Sequence, residues 1–290
     1  MTKNLRTYSS WAAIVLAAIT LFLAQSSYWI NHTVFNQQNF TKITTQSLLA
    51  DESRDAISAS VVDKALADRP ILKKTISTRT ESFVSGLLGS DLSNQLFSAL
   101  TKKIYSYTTS SDRQDIAIDL SAVKTPLSSI ITFAENQGRD VKVDPDRIPD
   151  NVVLVESDRF PDLSGTVKTM LWLGPLLWLS TIALFAAYIY LGRNNYAQRV
   201  YIAGFTIAGV ALLGLFIVPF VPAPIAAAIP DINIRIVAEN LAVNFLAPFR
   251  TQMLYMLVSS LGALLIFNQR FNLLRLLRST EHTLKAKVKK

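Results

Sequence analysis

The sequence predicts an integral membrane protein of mainly α class. We expect four transmembrane helices, with a mostly helical extracytoplasmic domain that carries one short two-stranded β-ribbon and is inserted between helices 1 and 2. Two observations lead to this prediction. Only 17% of the 290 residues are charged, whereas soluble domains average about 25%. Mean hydropathy is +0.29, and the apolar residues gather in long charge-free runs on either side of one long segment of ordinary polarity.

Four stretches are long enough to cross a bilayer. A spanning helix needs about 20 apolar residues, because each residue adds about 1.5 Å toward a hydrocarbon core about 30 Å thick. We place the spans at 11–30, 169–191, 200–220 and 251–269, and none of these windows contains Asp, Glu, Lys or Arg. An ion-coupled carrier is disfavoured, since such proteins place ionisable residues inside their spans.

The first window also has the features of a cleaved signal peptide. Lys3 and Arg6 precede an apolar core, and Ala24-Gln25-Ser26 matches a small-x-small cleavage motif. However, apolar residues resume at 28–30, as in a helix that stays in the membrane. We favour the retained helix and keep cleavage as the alternative.

The distribution of charge predicts the orientation. The short segments 1–10, 192–199 and 270–290 contain 11 basic residues and one acidic residue, whereas 31–168 contains 16 basic and 18 acidic residues. Because basic residues concentrate in cytoplasmic loops, we expect both termini to be cytoplasmic and 31–168 to be extracytoplasmic. The absence of cysteine from a domain of this size favours a bacterial plasma membrane.

Segment 31–168 has a helical apolar rhythm. We expect Asp51 to cap one helix, which Pro70 stops, and Ser90 to cap another that carries Leu92 to Ile104 on one face. A further helix is expected at 126–135. The alternating run DIAIDL and the apolar run NVVLV are predicted to pair as strands.

Loop 221–250 contains an amphipathic pattern. Apolar residues recur at Ile234, Val237 and Leu241, while Asn240 and Asn244 fall on the other side of a helix. Such a helix can lie at the outer membrane interface or dock against the large domain. A re-entrant pore element is a weaker alternative, because nothing polar would line it.

One acidic cluster is the weak candidate for a metal site. Hard cations such as calcium take several oxygen ligands, and four aspartates occur within eleven residues: Asp140, Asp144, Asp146 and Asp150. The spacing does not fit an EF-hand, and Arg139, Lys142 and Arg147 neutralise much of the charge. A solvated turn is the competing interpretation.

The C-terminal segment 270–290 is basic and amphipathic. Its cations are expected to contact anionic lipid headgroups at the cytoplasmic face; they are Arg270, Arg275, Arg278, Lys285, Lys287, Lys289 and Lys290. No nucleic-acid-binding module is recognisable, so we expect no nucleic-acid partner.

The sequence predicts neither a catalytic site nor a cofactor. The two histidines, His32 and His282, fall on opposite sides of the predicted bilayer, and the chain has no cysteine. The common nucleophile, phosphate-loop, dinucleotide and zinc-protease motifs do not occur. We therefore expect a protein that is not an enzyme.

The overall layout resembles a known group of proteins. The segment LLADESRDAISASVVDKALADRPI opens a large helical insert after one span, DIAIDLSAV follows, and NVVLVESDRFPDL leads into three closing spans. This arrangement is similar to uncharacterised four-span integral membrane proteins found in actinobacteria and related lineages. The resemblance implies topology only.

The functional expectation is a non-enzymatic protein of the cell envelope. Its extracytoplasmic domain at 31–168 would bind a protein partner or associate with copies of itself. A channel or transporter component is the first alternative, and it would need a hydrated path between the spans. A membrane-bound hydrolase that uses the aspartate cluster or a serine is the second, and in the aspartate case it would lose activity when Asp144 and Asp146 are replaced by alanine.

Overall fold

The computed structural model describes residues 3–65, 85–86, 88–109, 116–119, 151–155, 163–191 and 195–288. Eight α-helices and two strands make up these ranges, together with a π-helical turn after α1 and a 3-10 turn after α6. In chain order the elements are α1 (Lys3–Trp29), the π turn (Ile30–Val34), α2 (Gln37–Leu48), α3 (Asp51–Ala65), α4 (Asp91–Thr109), β1 (Ile116–Asp119), β2 (Asn151–Val155), α5 (Ser164–Leu191), α6 (Tyr196–Ile217), the 3-10 turn (Val218–Phe220), α7 (Pro222–Ala227) and α8 (Ile232–Val288).

Four helical stretches are long and apolar enough to cross a membrane. They are Tyr8–Val34, Ser164–Leu191, Tyr196–Ala227 and Ile232–Asn268. A helix satisfies its backbone hydrogen bonds internally, which is the condition for crossing hydrocarbon. The prediction of four apolar helices is confirmed by length and composition, and the chain has the character of a multi-pass membrane protein.

The chain divides into two compact units. Unit 1 comprises Met1–Ile30, Met170–Pro224 and Phe245–Lys290. Unit 2 comprises Asn31–Thr169 and Ile225–Asn244. Most of each candidate span belongs to unit 1, and the long polar segment belongs to unit 2. Residues 225–244, which include part of α7 and the start of α8, are therefore part of the same compact unit as the large polar segment.

The interior of unit 1 has two small apolar clusters. One contains Ala13, Ile14, Tyr188 and Ala203. The other is formed by Val218, Phe249 and Met253, with Trp29 packed against it. Many large apolar side chains of the four helices are exposed, among them Trp172 at 83%. Outward-facing apolar side chains are expected where lipid is the solvent.

Unit 2 contains the predicted two-stranded ribbon. β1 and β2 pair antiparallel, with Ile118 opposite Val152 and Asp119 opposite Asn151. Alternation of branched apolar residues favours such strands, and the ribbon expected from DIAIDL and NVVLV is confirmed.

The helix starts in unit 2 follow local capping chemistry, with one difference from expectation. The Asn36 side chain accepts a hydrogen bond from the backbone N–H of Asn39 at 3.0 Å and caps α2. Ser90 caps α4 as predicted, since its hydroxyl accepts from the N–H of Ser93 at 3.4 Å. Asp51 is instead the first residue of α3, where its carboxylate pairs with Arg54. The helix predicted at 126–135 lies outside the described residues.

The last helix, α8, is much longer than a single span. It begins after Asp231, whose carboxylate accepts from the N–H groups of Asn233 and Ile234 at 2.9 and 3.2 Å. It runs without interruption to Val288 and includes Pro248. The amphipathic segment, span four and the basic tail are thus parts of one helix.

Candidate functional site

The site residues predicted from sequence fall largely beyond the described part of the chain. Asp140, Asp144, Asp146 and Asp150 lie outside it, as do Lys289 and Lys290. The remaining tail cations lie on α8, where the backbone alone is described. Within the described ranges, no group of three or more His, Cys, Asp or Glu could hold a metal ion. The metal hypothesis thus stays a prediction.

Two amide side chains of the spans, one of them buried, pair with each other. Gln252 of α8 donates hydrogen bonds to the side-chain carbonyl and to the backbone carbonyl of Gln25 on α1, the latter at 3.3 Å. Gln25 in turn donates to the Met256 sulfur at 3.2 Å and is only 7% exposed. Hydrogen bonds of this kind hold helices together in membranes. The pair links α1 to α8, and the Gln25 amide donor bonds to Met256 on α8.

Arg199 forms a second polar cluster, which joins three helices. Its guanidinium donates to the Ser10 hydroxyl on α1 and, at 2.8 Å, to the backbone carbonyl of Tyr188 on α5. It also lies 4.7 Å from the centre of the Tyr188 ring. Sequence reasoning treated Arg199 only as an orientation signal. The contacts make it a structural cation whose Nη1 group bonds to two other helices within unit 1.

The interior of the described part of unit 2 is rich in hydroxyl groups. Its buried apolar residues are Ala56, Tyr107 and Ala226. Its buried Ser and Thr residues are more numerous: Thr33, Thr41, Thr45, Ser47, Ser53, Ser58 and Thr101. Small side chains let helices approach closely, but they bury little apolar area. Among the described residues, Ser47 and Ser58 donate to carbonyls of their own helices, whereas the Thr41 and Thr45 hydroxyls have no hydrogen-bond partner.

The start of α8 docks on this hydroxyl-rich surface within unit 2. Asn240 donates to the Ser53 hydroxyl at 3.1 Å, and Asn244 donates to the Ser47 hydroxyl at 2.9 Å. Ser47 and Ser53 are fully buried. Of the alternatives raised for the amphipathic segment, docking is therefore observed. The asparagines, which the amphipathic pattern set apart from the apolar side, form the contact.

Helices α2 and α4 pack through Tyr105. Its hydroxyl donates to the Phe35 carbonyl, and its ring lies 5.5 Å from the ring of Phe40. Gln37 donates to the Ser106 hydroxyl at 3.2 Å nearby. Burial raises the pKa of the Tyr105 phenol, and a hydrogen bond with Thr109 offsets part of that increase. These contacts fix α4 against α2.

We expect the Tyr105→Phe variant to lose part of the alkaline sensitivity of the protein. A phenol whose pKa is higher in the folded chain contributes stability below about pH 10, and this contribution is lost as pH rises through the folded pKa. Thermal unfolding of the full chain between about pH 8 and pH 11 should therefore show a shallower decline for Tyr105→Phe. The exposed Tyr196, changed to Phe, is the control, and equal slopes for both variants would contradict the assignment.

A groove runs along one side of α4. It has a volume of about 540 Å³ and is lined by Asp91, Asn94, Gln95, Ser98, Ala99 and Lys102. These positions lie on the side of α4 opposite to the predicted apolar positions Leu92, Leu96 and Leu100. One carboxylate, one ammonium group, two amides and a hydroxyl provide both donors and acceptors. Sequence reasoning did not select these residues, because polar residues on one side of a helix are ordinary.

Comparison with protein-family models, curated proteins and solved structures finds no match to this chain. No family is therefore assigned to the chain, and its class is inferred from its own helices and compact units. Its four long apolar helices give it the character of a multi-pass membrane protein, and its second compact unit carries the α4 groove.

Proposed function

We propose that the chain is a multi-pass protein of the bacterial plasma membrane that displays unit 2 outside the cytoplasm to bind a polar partner. The α4 groove is the observation that carries the proposal. Its polar lining residues supply acceptors and donors over twelve residues, a length of about 17 Å along a helix. A partner with hydrogen-bonding groups and both charge signs matches it better than lipid does. In this proposal the chain binds its partner and has no enzymatic activity of its own.

The interior of the spans supports a binding role over transport. Among the described residues of the spans, these polar contacts join neighbouring helices directly. Gln25 bonds to Gln252, and Arg199 bonds to Ser10 and Tyr188. A channel or carrier needs groups that a passing solute can contact. Solute flux into vesicles that contain the purified chain tests the alternative directly, and flux above that of empty vesicles would favour a channel.

The proposed orientation rests on the excess of basic residues in the short segments and tail. The chain has no cysteine, so a single introduced cysteine reports its own location. We expect Gln38→Cys to react with a membrane-impermeant maleimide in intact cells. Lys290→Cys should react only after the cells are broken. The reverse pattern would place unit 2 in the cytoplasm.

We also propose that α1 is retained rather than cleaved as a signal peptide. Residues at and beyond the potential cleavage motif make contacts within unit 1. Gln25 bonds to Gln252, and the Trp29 indole donates to the Phe245 carbonyl at 2.9 Å. The intact mass of the purified protein tests this proposal, and loss of the first 24 to 26 residues would refute it.

The groove is tested by replacing its central polar side chains. We expect the triple variant Asn94→Ala, Gln95→Ala and Ser98→Ala to fold normally, because surface changes usually alter stability by less than about 0.5 kcal/mol. The variant should lose most of its partner. The matched control, Gln38→Ala with Gln46→Ala, alters exposed positions of α2 and should keep it.

The measurement combines brief cross-linking in native membranes with affinity purification, quantitative mass spectrometry and native mass measurement. A species recovered with the unchanged chain and the control, but reduced at least several-fold with the groove variant, supports the proposal. Equal recovery from all three would mean that α4 is not the binding surface. Recovery of the unchanged chain as a solitary monomer would count against a binding role.

A further inference from the structure

One edge of the Arg199 guanidinium is left open by the contacts that join the helices of unit 1. The Nη1 group donates to the Ser10 hydroxyl on α1 and, at 2.8 Å, to the Tyr188 carbonyl on α5. A guanidinium has five N–H groups in a planar fork, and these two bonds use only those of Nη1. Among the described residues, nothing accepts a hydrogen bond from Nε or Nη2, and the side chain is partly exposed. These two nitrogens are therefore available to an acceptor from another molecule.

No carboxylate offsets the charge of this guanidinium. Both of its acceptors are neutral groups, and Arg199 takes part in no ion pair within the described part of the chain. Residues 1–30 and 164–220, which include the three helices that the guanidinium joins, contain neither Asp nor Glu. A charge that is partly removed from water is stabilised by a charge of opposite sign. Because these segments supply none, an anion bound here would come from another molecule.

The contact lies where three apolar helices reach the end of their charge-free runs. Ser10 and Arg199 each immediately precede a run that is long enough to span, and Tyr188 lies in the last turn of α5. Runs of this length end at the boundary between hydrocarbon and headgroups. Aromatic side chains favour that boundary, and four of them beside the contact are between 57% and 75% exposed: Tyr8, Trp11, Tyr190 and Tyr196. The open edge of Arg199 is therefore expected at the depth of lipid phosphates.

We propose that the Nε–Nη2 edge of Arg199 binds the phosphate group of an anionic lipid such as phosphatidylglycerol. Two phosphate oxygens accept parallel hydrogen bonds from such an edge, which a lysine ammonium cannot match. Ser10 and Tyr188 already hold the guanidinium in place, so less side-chain freedom is lost on binding. The exposed apolar surface around the contact favours a lipid over a soluble phosphate. The site lies within unit 1, and the proposal is independent of what the α4 groove binds.

Photo-labelling of the full chain in phosphatidylcholine nanodiscs tests the proposal. The discs contain a small fraction of a phosphatidylglycerol analogue with a diazirine in its headgroup, and peptide mass spectrometry locates the labelled residues. The basic tail 270–290 is the internal reference for general attraction to anionic lipid. Arg199→Lys keeps the charge but removes the fork, and Arg250→Lys makes the same change at an exposed arginine of unit 1. Thermal unfolding verifies that each variant is folded.

We expect labelling near Ser10 on α1 and at the start of α6. Unlabelled phosphatidylglycerol should reduce this labelling several-fold, whereas inorganic phosphate added at matched ionic strength should leave it unchanged. In Arg199→Lys, labelling at these positions should fall several-fold relative to labelling of the tail. In Arg250→Lys, the same ratio should equal that of the unchanged chain.

Three outcomes would overturn the proposal. Labelling confined to the tail would mean that no anionic lipid is held at Arg199. A ratio that Arg199→Lys does not alter would show that the guanidinium fork is not the binding group. Competition by inorganic phosphate as strong as that by phosphatidylglycerol would assign the edge to a soluble anion. The labelled positions and the competition are measured on the unchanged chain, so they decide the question even where Arg199→Lys does not fold.

Discussion

Replacing Arg199 by alanine is expected to lower the unfolding temperature of the protein by roughly 5–10 °C. Arg199 joins α1, α5 and α6 through the Ser10 hydroxyl and the Tyr188 carbonyl and ring. The carbonyl of Tyr188 lies in the last turn of α5, where backbone acceptors have no partner within the helix. A cation at this end of a helix is also favoured by the helix dipole. The alanine variant removes all of these contacts at once.

The size of the effect follows from the number of contacts. Hydrogen bonds to charged groups contribute about 1.5–3 kcal/mol each, and a cation over an aromatic ring adds about 0.5–2 kcal/mol. Because Arg199 is partly exposed, we expect a combined loss of about 2–4 kcal/mol. Arg199→Lys keeps the charge but not the planar set of donors, so its loss should be intermediate.

Thermal unfolding in mild detergent, followed by intrinsic tryptophan fluorescence, measures the effect. Arg250→Ala is the control, since Arg250 is exposed and its removal should change stability by less than about 0.5 kcal/mol. If Arg199→Ala and Arg250→Ala unfold at the same temperature, Arg199 does not hold the three helices together.

Replacing Gly204 by valine is the second change with a large expected effect. A Cβ atom at Gly204 would lie 2.5 Å from Cδ2 and 2.8 Å from Cγ of Leu264 on α8. Leu264 is only 8% exposed, and its Cγ is not the free end of a flexible chain. Overpacking of this kind costs about 1–3 kcal/mol, occasionally more. We expect Gly204→Val to lose about 2–3 kcal/mol through separation of α6 from α8.

A matched control lies on the same helix. A Cβ atom at Gly209 would meet no atom within 4 Å among the described residues. Gly209→Val should therefore leave the unfolding temperature nearly unchanged, because it changes the same residue type in the same helix without a clash. The comparison isolates packing from the intrinsic effect of losing a glycine. Equal losses for Gly204→Val and Gly209→Val would show that helix propensity, not contact with Leu264, decides the outcome.

The glycines of α6 illustrate what spacing alone cannot decide. Gly204, Gly209 and Gly214 recur every five residues, which does not keep one side of a helix. In the structure Gly204 and Gly214 approach Leu264 and Met253 of α8, whereas Gly209 does not. At about 100° per residue, positions ten apart return to within about 80° of each other, and the middle position lies about 140° away. The partner helix determines which of the three glycines is needed.

The amphipathic segment illustrates the same point for polar residues. A helical pattern separates Asn240 and Asn244 from the apolar residues, and it predicts a polar side. It does not say whether water or protein meets that side. The fully buried serines at 47 and 53 supply a polar partner surface about 190 residues away in the chain, and no local pattern encodes that pairing.

Local and solvent-dependent features of this protein were determined by its sequence. Four apolar helices, the Ser90 cap of α4 and the pairing of DIAIDL with NVVLV follow from hydrophobic length, hydrogen-bond capping and alternation, which act between near neighbours or between the chain and its solvent. The tertiary structure alone decided that Arg199 joins three helices, that the asparagines of α8 face the serines of α2 and α3, and that the α4 groove is open. These outcomes depend on which distant surfaces meet, and contact between distant segments is decided by shape and polarity complementarity across the whole fold.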